Sequence, residues 1–361
     1  MRCTVSAGEL RKALLTASHV TPAVPAQPAF SGVLLRVRGD ELTILGSDGD
    51  TTIAARAAVE SSDNGQILIP PRPLSLYLGS VPTEASVVVS SDSDVEMSVT
   101  VGSGAPYRFR GIAATFPVPG GSRATPVQTD LSRLGDALSA VRPCAGRDAP
   151  VVQLVSKKDS LTLHATDNFR LGRAVLPGAG LGDEFSVVLS TSVLDRVARS
   201  QVTSAQAEQN GRVLKFFGPS VAVSTRVLAV SFPAVEQILS IVPPNSAVVP
   251  ADLIRPALQR LASVERLASA SDSAPLVVTI SHDHIELAVE NADLGTGREI
   301  VPLDSSPTDT VSLALNLAYL ADALAPAGDS ARIEWSSATD TVYVRGLGDL
   351  EVTTAIMPIR I

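Results

Sequence analysis

The chain of 361 residues has only two cysteines, few aromatic residues and no long apolar run. No apolar stretch reaches the roughly 18 to 20 residues that a membrane-spanning helix needs. Residues 1–15 contain no continuous apolar segment and do not resemble a secretory signal. Cys3 and Cys144 could form one disulfide, but two separate thiols are the favoured interpretation. These absences together predict a protein of the reducing cytoplasm.

Aromatic residues account for 4% of the chain, whereas hydrophobic residues account for 45% and charged residues for 18%. We therefore expect cores built mainly from Leu, Val, Ile and Ala, in a chain long enough for about two to three domains. The formal net charge of −8 argues against a general nucleic-acid-binding protein.

Three stretches of the sequence resemble one another at a spacing of about 120 residues. An acid–Leu pair opens a helical pattern at Glu9-Leu10, Asp130-Leu131 and Asp252-Leu253. A second helical pattern recurs at Leu74, Leu194 and Leu317, and a residue followed by proline recurs at Phe116-Pro117, Phe232-Pro233 and Met357-Pro358. The repeat predicts three α+β domains of like topology, over residues 1–121, 122–245 and 246–361.

Each third has two helical runs, each accompanied by strand-like segments. The six runs cover residues 9–19, 72–79, 130–142, 192–200, 252–267 and 316–324, with Ser192 and Asn316 as expected N-caps. Polar turns between β-rich segments predict hairpins at Gly39-Asp40, Lys158-Asp159 and His282-Asp283. Gly- and Pro-rich tracts at 118–128 and 242–250 have the composition of linkers between the thirds.

Charge is distributed unevenly along this pattern. The six helical runs carry ten Arg and Lys residues against seven Asp and Glu residues, although the whole chain is acidic. A helical face more basic than the rest of the surface would suit a non-specific polyanion binder. Ordinary mixed charge on surface helices explains the same count, and both interpretations stay open at this point.

Four short segments, in order along the chain, carry a resemblance to a known family. They are residues 1–5 (MRCTV), 32–37 (GVLLRV) with 42–48 (LTILGSD), 165–174 (ATDNFRLGRA) and 357–361 (MPIRI). With the internal period, they resemble the bacterial sliding clamp family, the beta subunit of DNA polymerase III. The resemblance covers the whole chain. It implies antiparallel sheets outside, helices lining a central hole, and a closed ring formed by a head-to-tail dimer around duplex DNA.

The resemblance also implies which basic residues face the DNA. Contacts to phosphate carry no sequence information, so such a protein could slide. The matching positions are Arg11, Lys12, Arg72, Arg133, Arg142, Arg147, Arg196 and Arg199. A solubilising surface charge is the alternative explanation for each, and the DNA-facing role is favoured for Arg72, Arg142 and Arg147. The chain departs from the family at 21–28, around Val24, where a basic residue is common and this loop has none.

The family's partner site is an apolar cleft that binds linear motifs of DNA polymerases, the clamp loader and repair proteins. Its wall maps by position onto Thr166, Asn168, Phe169, Arg170, Leu171, Pro233, Ile238, Asn316, Tyr319, Met357, Pro358, Ile359 and Arg360. Core packing is the alternative explanation for Leu171, Ile238 and Ile359. Asn168-Phe169 replaces a common Gly-His pair, and Gln237 replaces a common basic residue, so the implied cleft is altered in shape and less positive.

Ring closure in the family pairs an edge strand of the first domain with the third domain of the partner. The matching residues are Tyr107 and Phe109 on the strand, and Ser263 and Val264 on the facing helix. Ser263 stands where an apolar residue is usual, which would weaken the closing contact. Edge-strand hydrogen bonds could still hold it.

Motifs that would suggest an enzyme are weak. His282-Asp283-His284 lies at a hairpin turn with no Cys or Glu cluster to complete a metal site. The segment 178–182 (GAGLG) precedes a strand, whereas a phosphate-binding loop must open a helix. We therefore expect a non-catalytic protein without a cofactor. The hypotheses are a replicative sliding clamp, a divergent clamp paralogue with restricted partners (a repair-specific or drug-resistant copy), and an unrelated β-rich scaffold.

Overall fold

The computed structural model describes residues 1–118, 125–208, 212–265, 275–291, 295–305, 307 and 309–360. Within them lie seven α-helices: α1 (Ala7–Ser18), α2 (Pro71–Gly79), α3 (Leu134–Val141), α4 (Thr191–Arg199), α5 (Glu236–Leu239), α6 (Ala251–Glu265) and α7 (Leu317–Leu324). The single-turn helix α5 was not predicted. Each of the other six overlaps one of the predicted helical runs, which confirms the helical periodicity. None of the described helices is both long and apolar enough to cross a membrane.

Twenty-five strands lie within the described residues. They are β1 (Arg2–Ser6), β2 (Val33–Arg38), β3 (Glu41–Ser47), β4 (Thr51–Ala58), β5 (Glu60–Asp63), β6 (Gly65–Ile69), β7 (Ser86–Ser93), β8 (Glu96–Val101), β9 (Tyr107–Arg110), β10 (Val127–Gln128), β11 (Val151–Lys157), β12 (Ser160–Thr166), β13 (Arg170–Pro177), β14 (Phe185–Ser190), β15 (Ser204–Glu208), β16 (Val213–Phe217), β17 (Val221–Arg226), β18 (Asn245–Pro250), β19 (Leu276–Ile280), β20 (His284–Asn291), β21 (Gly295–Pro302), β22 (Val311–Leu315), β23 (Ser330–Trp335), β24 (Val342–Gly346) and β25 (Glu351–Ile356). The three predicted hairpins are confirmed as the antiparallel pairs β2–β3, β11–β12 and β19–β20.

The chain forms two compact units, the first comprising residues 1–130 and 196–227. It contains a five-stranded sheet in the order β5-β1-β7-β8-β9 and an eight-stranded sheet in the order β10-β15-β16-β17-β4-β3-β2-β6. The larger sheet joins the first two thirds of the sequence, because β17 pairs with β4 from Val221–Ala55 to Thr225–Thr51. The hydroxyls of Thr51 and Thr225 lie 3.1 Å apart at this seam.

One apolar core in this unit connects both sheets with α1 and α2. Leu10 and Leu14 of α1 and Leu74 and Leu78 of α2 are buried against strands of both sheets. The Ser6 side chain caps α1 by accepting a hydrogen bond from the Glu9 amide at 3.2 Å. Gly46 allows α1 to lie directly on β3, because a Cβ at this position would be only 2.0 Å from the Ala17 carbonyl oxygen.

The second unit comprises residues 131–195 and 228–361. It also has two antiparallel sheets, in the orders β14-β11-β12-β13-β25-β24-β23-β18 and β21-β20-β19-β22. Strand β13 pairs with β25 from Arg170–Ile356 to Val175–Glu351, which brings the middle and the C-terminal end of the sequence together. Its main core surrounds α6, α7 and the buried Trp335.

Three local predictions were wrong. The third helical run, predicted over 130–142, begins at Leu134 rather than at Asp130-Leu131, because the Leu134 amide first closes a turn onto the Leu131 carbonyl at 3.0 Å. Ser192 lies inside α4, and the Ser190 hydroxyl accepts the Val193 amide in its place at 3.4 Å. The two tracts predicted to be linkers contain strands β10 and β18. The end of the first tract pairs with β15, and the end of the second pairs with β23.

Candidate functional site

The turn between β12 and β13 forms one side of the predicted cleft. The Thr166 hydroxyl donates to the Arg170 carbonyl at 2.8 Å and accepts the Asn168 amide at 3.1 Å. The Asp167 carboxylate accepts the amides of Phe169 and Arg170, both at 3.0 Å. Asn168 has φ of 73°, a left-handed conformation that Asn adopts more readily than most residues. The turn is therefore held rigidly while Phe169 projects outwards, with 62% of its surface exposed.

The Arg170 side chain extends from this turn into a network of charges. Its Nη1 lies 2.7 Å from Asp322 Oδ2, and its Nε lies 3.1 Å from Asp167 Oδ2. Its guanidinium carbon is 4.0 Å from the centroid of the Tyr319 ring. Burial works against the charged form of Arg170, but the hydrogen bonds to Asp322 and Asp167 and the charge of Asp322 help to outweigh it and raise the pKa.

An apolar cluster forms the floor beneath the turn. Leu171, Val235, Leu239, Tyr343 and Ala355 are buried together, and Phe232 packs against them. The Tyr343 hydroxyl donates to the Ile238 carbonyl at 2.8 Å, which fastens α5 to the sheet. Leu171 is thus a core residue, as the packing interpretation predicted, whereas Ile238 at the edge of α5 remains 42% exposed.

The C-terminal segment carries the remaining residues that the sequence assigned to the cleft wall. The Met357 amide donates to the Phe169 carbonyl at 2.9 Å, and the Ile359 amide donates to the Ala314 carbonyl at 2.7 Å. The Asn316 side chain caps α7 by accepting the Tyr319 amide at 3.1 Å, which confirms its predicted role as N-cap. Met357 and Ile359 are 55% and 40% exposed, so both present apolar surface to solvent.

Most of the sequence-predicted cleft residues are therefore linked by direct contacts within the second unit. Pro233, Pro358 and Arg360 lie on the same segments, with Pro233 and Arg360 exposed and Pro358 partly buried. The sequence prediction missed Asp167, Asp322 and Tyr343. Asp322 follows Tyr319 by three residues on α7, which places both on one helix face and is the only signal that the sequence offered.

The predicted DNA-facing residues differ in how free their side chains are. Arg11, Lys12, Arg72, Arg147 and Arg199 are exposed. Arg133 donates to the Asp349 carbonyl at 3.0 Å and lies 3.7 Å from Asp136 Oδ2. Arg142 forms an ion pair with Asp195, and Arg196 donates to the His19 carbonyl at 2.9 Å. These three arginines are therefore held by contacts within the chain, although each guanidinium keeps further N–H donors that could reach a phosphate.

The predicted interface residues lie in separate units. Strand β9, which carries Tyr107 and Phe109, is the outermost strand of its sheet and pairs with β8. Tyr77 of α2 supports it, with ring centroids 4.6 Å from Tyr107 and 5.7 Å from Phe109. Ser263 is exposed on α6 and donates its hydroxyl to the Arg260 carbonyl at 2.6 Å. The side chain of Val264 lies outside the described residues.

Residues considered for other chemistry form no second site in the described part of the chain. His284 Nδ1 lies 2.6 Å from Asp283 Oδ1, while His282 Nδ1 lies 3.4 Å from the Pro307 carbonyl oxygen. The described part of the chain contains no cluster of His, Cys, Asp and Glu that could hold a metal ion. Cys3 and Cys144 are free and buried, which confirms two separate thiols, and burial raises their pKa values to about 11 and about 12. Residues 178–182 form the predicted loop before β14.

Comparison with known proteins gives a consistent result over the whole chain. The family models of the DNA polymerase III beta subunit match residues 1–114 (N-terminal domain) and 241–360 (C-terminal domain). The beta sliding clamp of Synechococcus elongatus is 26% identical over 387 residues, and that of Caulobacter vibrioides is 24% identical over 380, with 100% of each chain covered.

Solved structures show the same fold. The DNA polymerase III subunit beta of Pseudomonas aeruginosa matches with a TM-score of 0.87 and 20% identity, covering 100% of both chains. The sliding clamp of the same organism bound to griselimycin matches with a TM-score of 0.88 and 19% identity, again over 100% of both chains. The clamp of Bacillus subtilis has a TM-score of 0.88 at 16% identity, covering 100% of this chain and 99% of that one.

Proposed function

The chain belongs to the family of the DNA polymerase III beta subunit, and we propose that it is a sliding clamp that tethers a DNA polymerase to duplex DNA. The observation that carries this proposal is the match of both terminal family models, in order, together with relatives called beta sliding clamp that align over the whole chain. Family membership removes the unrelated β-rich scaffold. The proposed role is non-catalytic, requires no cofactor and is performed in the cytoplasm.

A ring of two chains would give this role its physical basis. Among the described strands, β9 has no partner on its outer edge, and neither does β21 in the four-stranded sheet of the second unit. Joining such edges head to tail closes a ring rather than an open filament if the rotation is correct. The proposed ring has three domains per chain (residues 1–121, 122–245 and 246–361), sheets outside and helices around the hole.

The charge of the chain fits topological rather than adhesive binding of DNA. The exposed basic residues Arg11, Lys12, Arg72, Arg147 and Arg199 could contact phosphates. The net charge of −8 disfavours binding of DNA to the remaining surface. A protein of this kind would hold DNA by enclosing it, and its weak contacts would allow sliding.

Topological binding predicts that retention depends on whether the DNA has ends. In solution we expect a species of twice the 37.4 kDa chain mass by light scattering. When the clamp loader of the same organism places it on nicked circular plasmid, the protein should co-elute with DNA through gel filtration. Cutting the plasmid once should release most of it. A monomer, or equal retention on circular and linear plasmid, would contradict the ring.

The cleft in the second unit is the proposed docking site for linear motifs of DNA polymerases, the clamp loader and repair proteins. It offers the exposed apolar side chains of Phe169, Ile238, Met357 and Ile359 above a buried floor. Recognition by a few apolar anchors in a preformed groove suits short peptides. The sliding clamp solved with griselimycin is a structural relative with a bound ligand.

A peptide-binding measurement distinguishes the replicative clamp from a divergent paralogue. We expect a fluorescein-labelled peptide with the clamp-binding motif of the replicative polymerase to bind the wild type. Gln237→Lys, which adds a rim charge, should strengthen binding of an acidic version of that peptide, and this gain should fall with salt. A protein retained on circular DNA that binds neither this peptide nor griselimycin would be a paralogue with restricted partners.

A further inference from the structure

Asp322 holds in place two residues of the proposed cleft wall, although it was not itself part of the predicted site. We infer that Asp322 is a positioning residue for peptide binding, because it fixes the Arg170 guanidinium against the Tyr319 ring and so keeps that ring in a binding-ready position. This inference rests on the proposed function of the cleft.

The guanidinium of Arg170 is fixed from three directions. Asp322 Oδ2 lies 2.7 Å from Nη1, Asp167 Oδ2 lies 3.1 Å from Nε, and the Tyr319 ring centroid lies 4.0 Å from Cζ. Two carboxylates therefore hold the edge of the planar group while an aromatic ring covers one face. Only 11% of the Arg170 side chain is exposed, so solvent competes weakly for these contacts.

Asp322 and Asp167 have different tasks in this arrangement. Asp167 belongs to the β12–β13 turn, where it also accepts two backbone amides, so its carboxylate anchors Arg170 to its own turn. Asp322 lies on α7, three residues after Tyr319 and on the same helix face. The Asp322 contact is therefore the ion pair that connects the turn to the helix carrying Tyr319.

The consequence for binding is a reduced cost of ordering the cleft. The backbone of Tyr319 is already fixed by the Asn316 cap, and the stacked guanidinium fixes its ring. A wall that is ordered before the ligand arrives loses less conformational entropy on binding than a mobile wall does. Loss of the Asp322 carboxylate would free Arg170 to leave the ring, and the ring could then adopt other rotamers.

The test measures affinity of the labelled polymerase-motif peptide by fluorescence polarisation. Asp322→Asn should weaken binding roughly fivefold, with a similar loss for Arg170→Lys, which keeps the charge but cannot stack or fork. In a Tyr319→Leu background, Asp322→Asn should have no further effect, because the ring it positions is gone. Glu351→Gln is the matched control: it breaks an Arg–carboxylate pair of the same unit, 3.2 Å from Arg173, and should leave affinity unchanged.

The outcomes separate this inference from the proposed function. No binding by the wild type would overturn the proposed peptide site and the inference together. Wild-type binding that Asp322→Asn leaves unchanged would overturn the inference alone. Equal losses in the wild-type and Tyr319→Leu backgrounds would also overturn it, because Asp322 would then act independently of the ring. If Asp322→Asn does not fold, unchanged binding by Arg170→Lys would be decisive against the inference.

Discussion

Replacing Tyr343 with alanine is expected to lower the free energy of unfolding by about 3 to 5 kcal/mol and to abolish peptide binding. Tyr343 is 1% exposed and is among the largest fully buried side chains of the protein. Its ring packs with Leu171, Val235 and Leu239, and its hydroxyl fastens α5 through the Ile238 carbonyl. The substitution would leave a cavity under the cleft and release the segment that carries Ile238.

The measurement is chemical denaturation followed by fluorescence, together with peptide affinity. Tyr343→Phe is the matched variant, because it keeps the ring and removes only the hydrogen bond. It should cost about 1 kcal/mol and keep most of the affinity. If the alanine variant were as stable as the phenylalanine variant, or bound peptide normally, the apolar floor would not be what supports the cleft.

The sequence predicted local structure well where a periodic pattern decided it. The stripe at Leu10 and Leu14 gave α1, and the polar pair Lys158-Asp159 gave the β11–β12 hairpin. Helix α5 was missed because it has only one turn, which is too short for a helical periodicity to form. Strand β18 was missed because its composition resembles a linker and its partner β23 is distant in sequence.

Sheet architecture was beyond the reach of local patterns. Each eight-stranded sheet joins strands from two thirds of the sequence, through β17–β4 in one unit and β13–β25 in the other. The internal repeat predicts the elements of each third separately. It does not predict which sheet edges of different thirds pair with each other. Pairing of edges depends on backbone groups that every residue carries, so side-chain patterns do not report it.

The cleft illustrates the same limit at the level of side chains. Its residues were predicted by resemblance to a family, one position at a time. The contact between Arg170 and Asp322 joins residues 152 positions apart, and neither residue type indicates the other. The role of Asp322 depends on two contacts of Arg170, the ion pair with Asp322 and the position of the guanidinium over the Tyr319 ring, and neither can be predicted from the sequence.

Acid is expected to destabilise the protein through His164, by about 3 kcal/mol between pH 7.5 and pH 4. His164 on β12 is fully buried, its Nδ1 lies 3.1 Å from Gln153 Oε1, and its Nε2 has no partner among the described residues. Burial lowers the pKa of His164 to about 4. The negative charge of Glu236 raises this pKa, and the positive charges of Arg173 and Lys157 lower it further. The folded protein therefore keeps this histidine neutral.

The sign follows from the protons bound in each state. In the unfolded chain the His164 pKa returns to its ordinary value of 6.5, so below that pH the unfolded state binds a proton that the folded state refuses. The stabilisation is complete above pH 6.5 and is lost as pH falls towards 4. His164 lies two residues before Thr166 on β12, so its side chain is on the same face of the sheet as Leu171, the face that α5 packs against. Protonation of His164 would therefore disturb the apolar cluster under the proposed cleft.

Comparison with His164→Gln isolates this contribution, because glutamine does not titrate and carboxylates elsewhere titrate in both proteins. Denaturation curves at pH 7.5 and pH 4 should show that the free energy of unfolding falls by about 3 kcal/mol more in the wild type than in the variant. Peptide affinity of the wild type should decline over the same range more steeply than that of the variant. Parallel losses in both proteins would mean that His164 takes up its proton without cost, which a fully buried imidazole between Gln153 and Arg173 should not do.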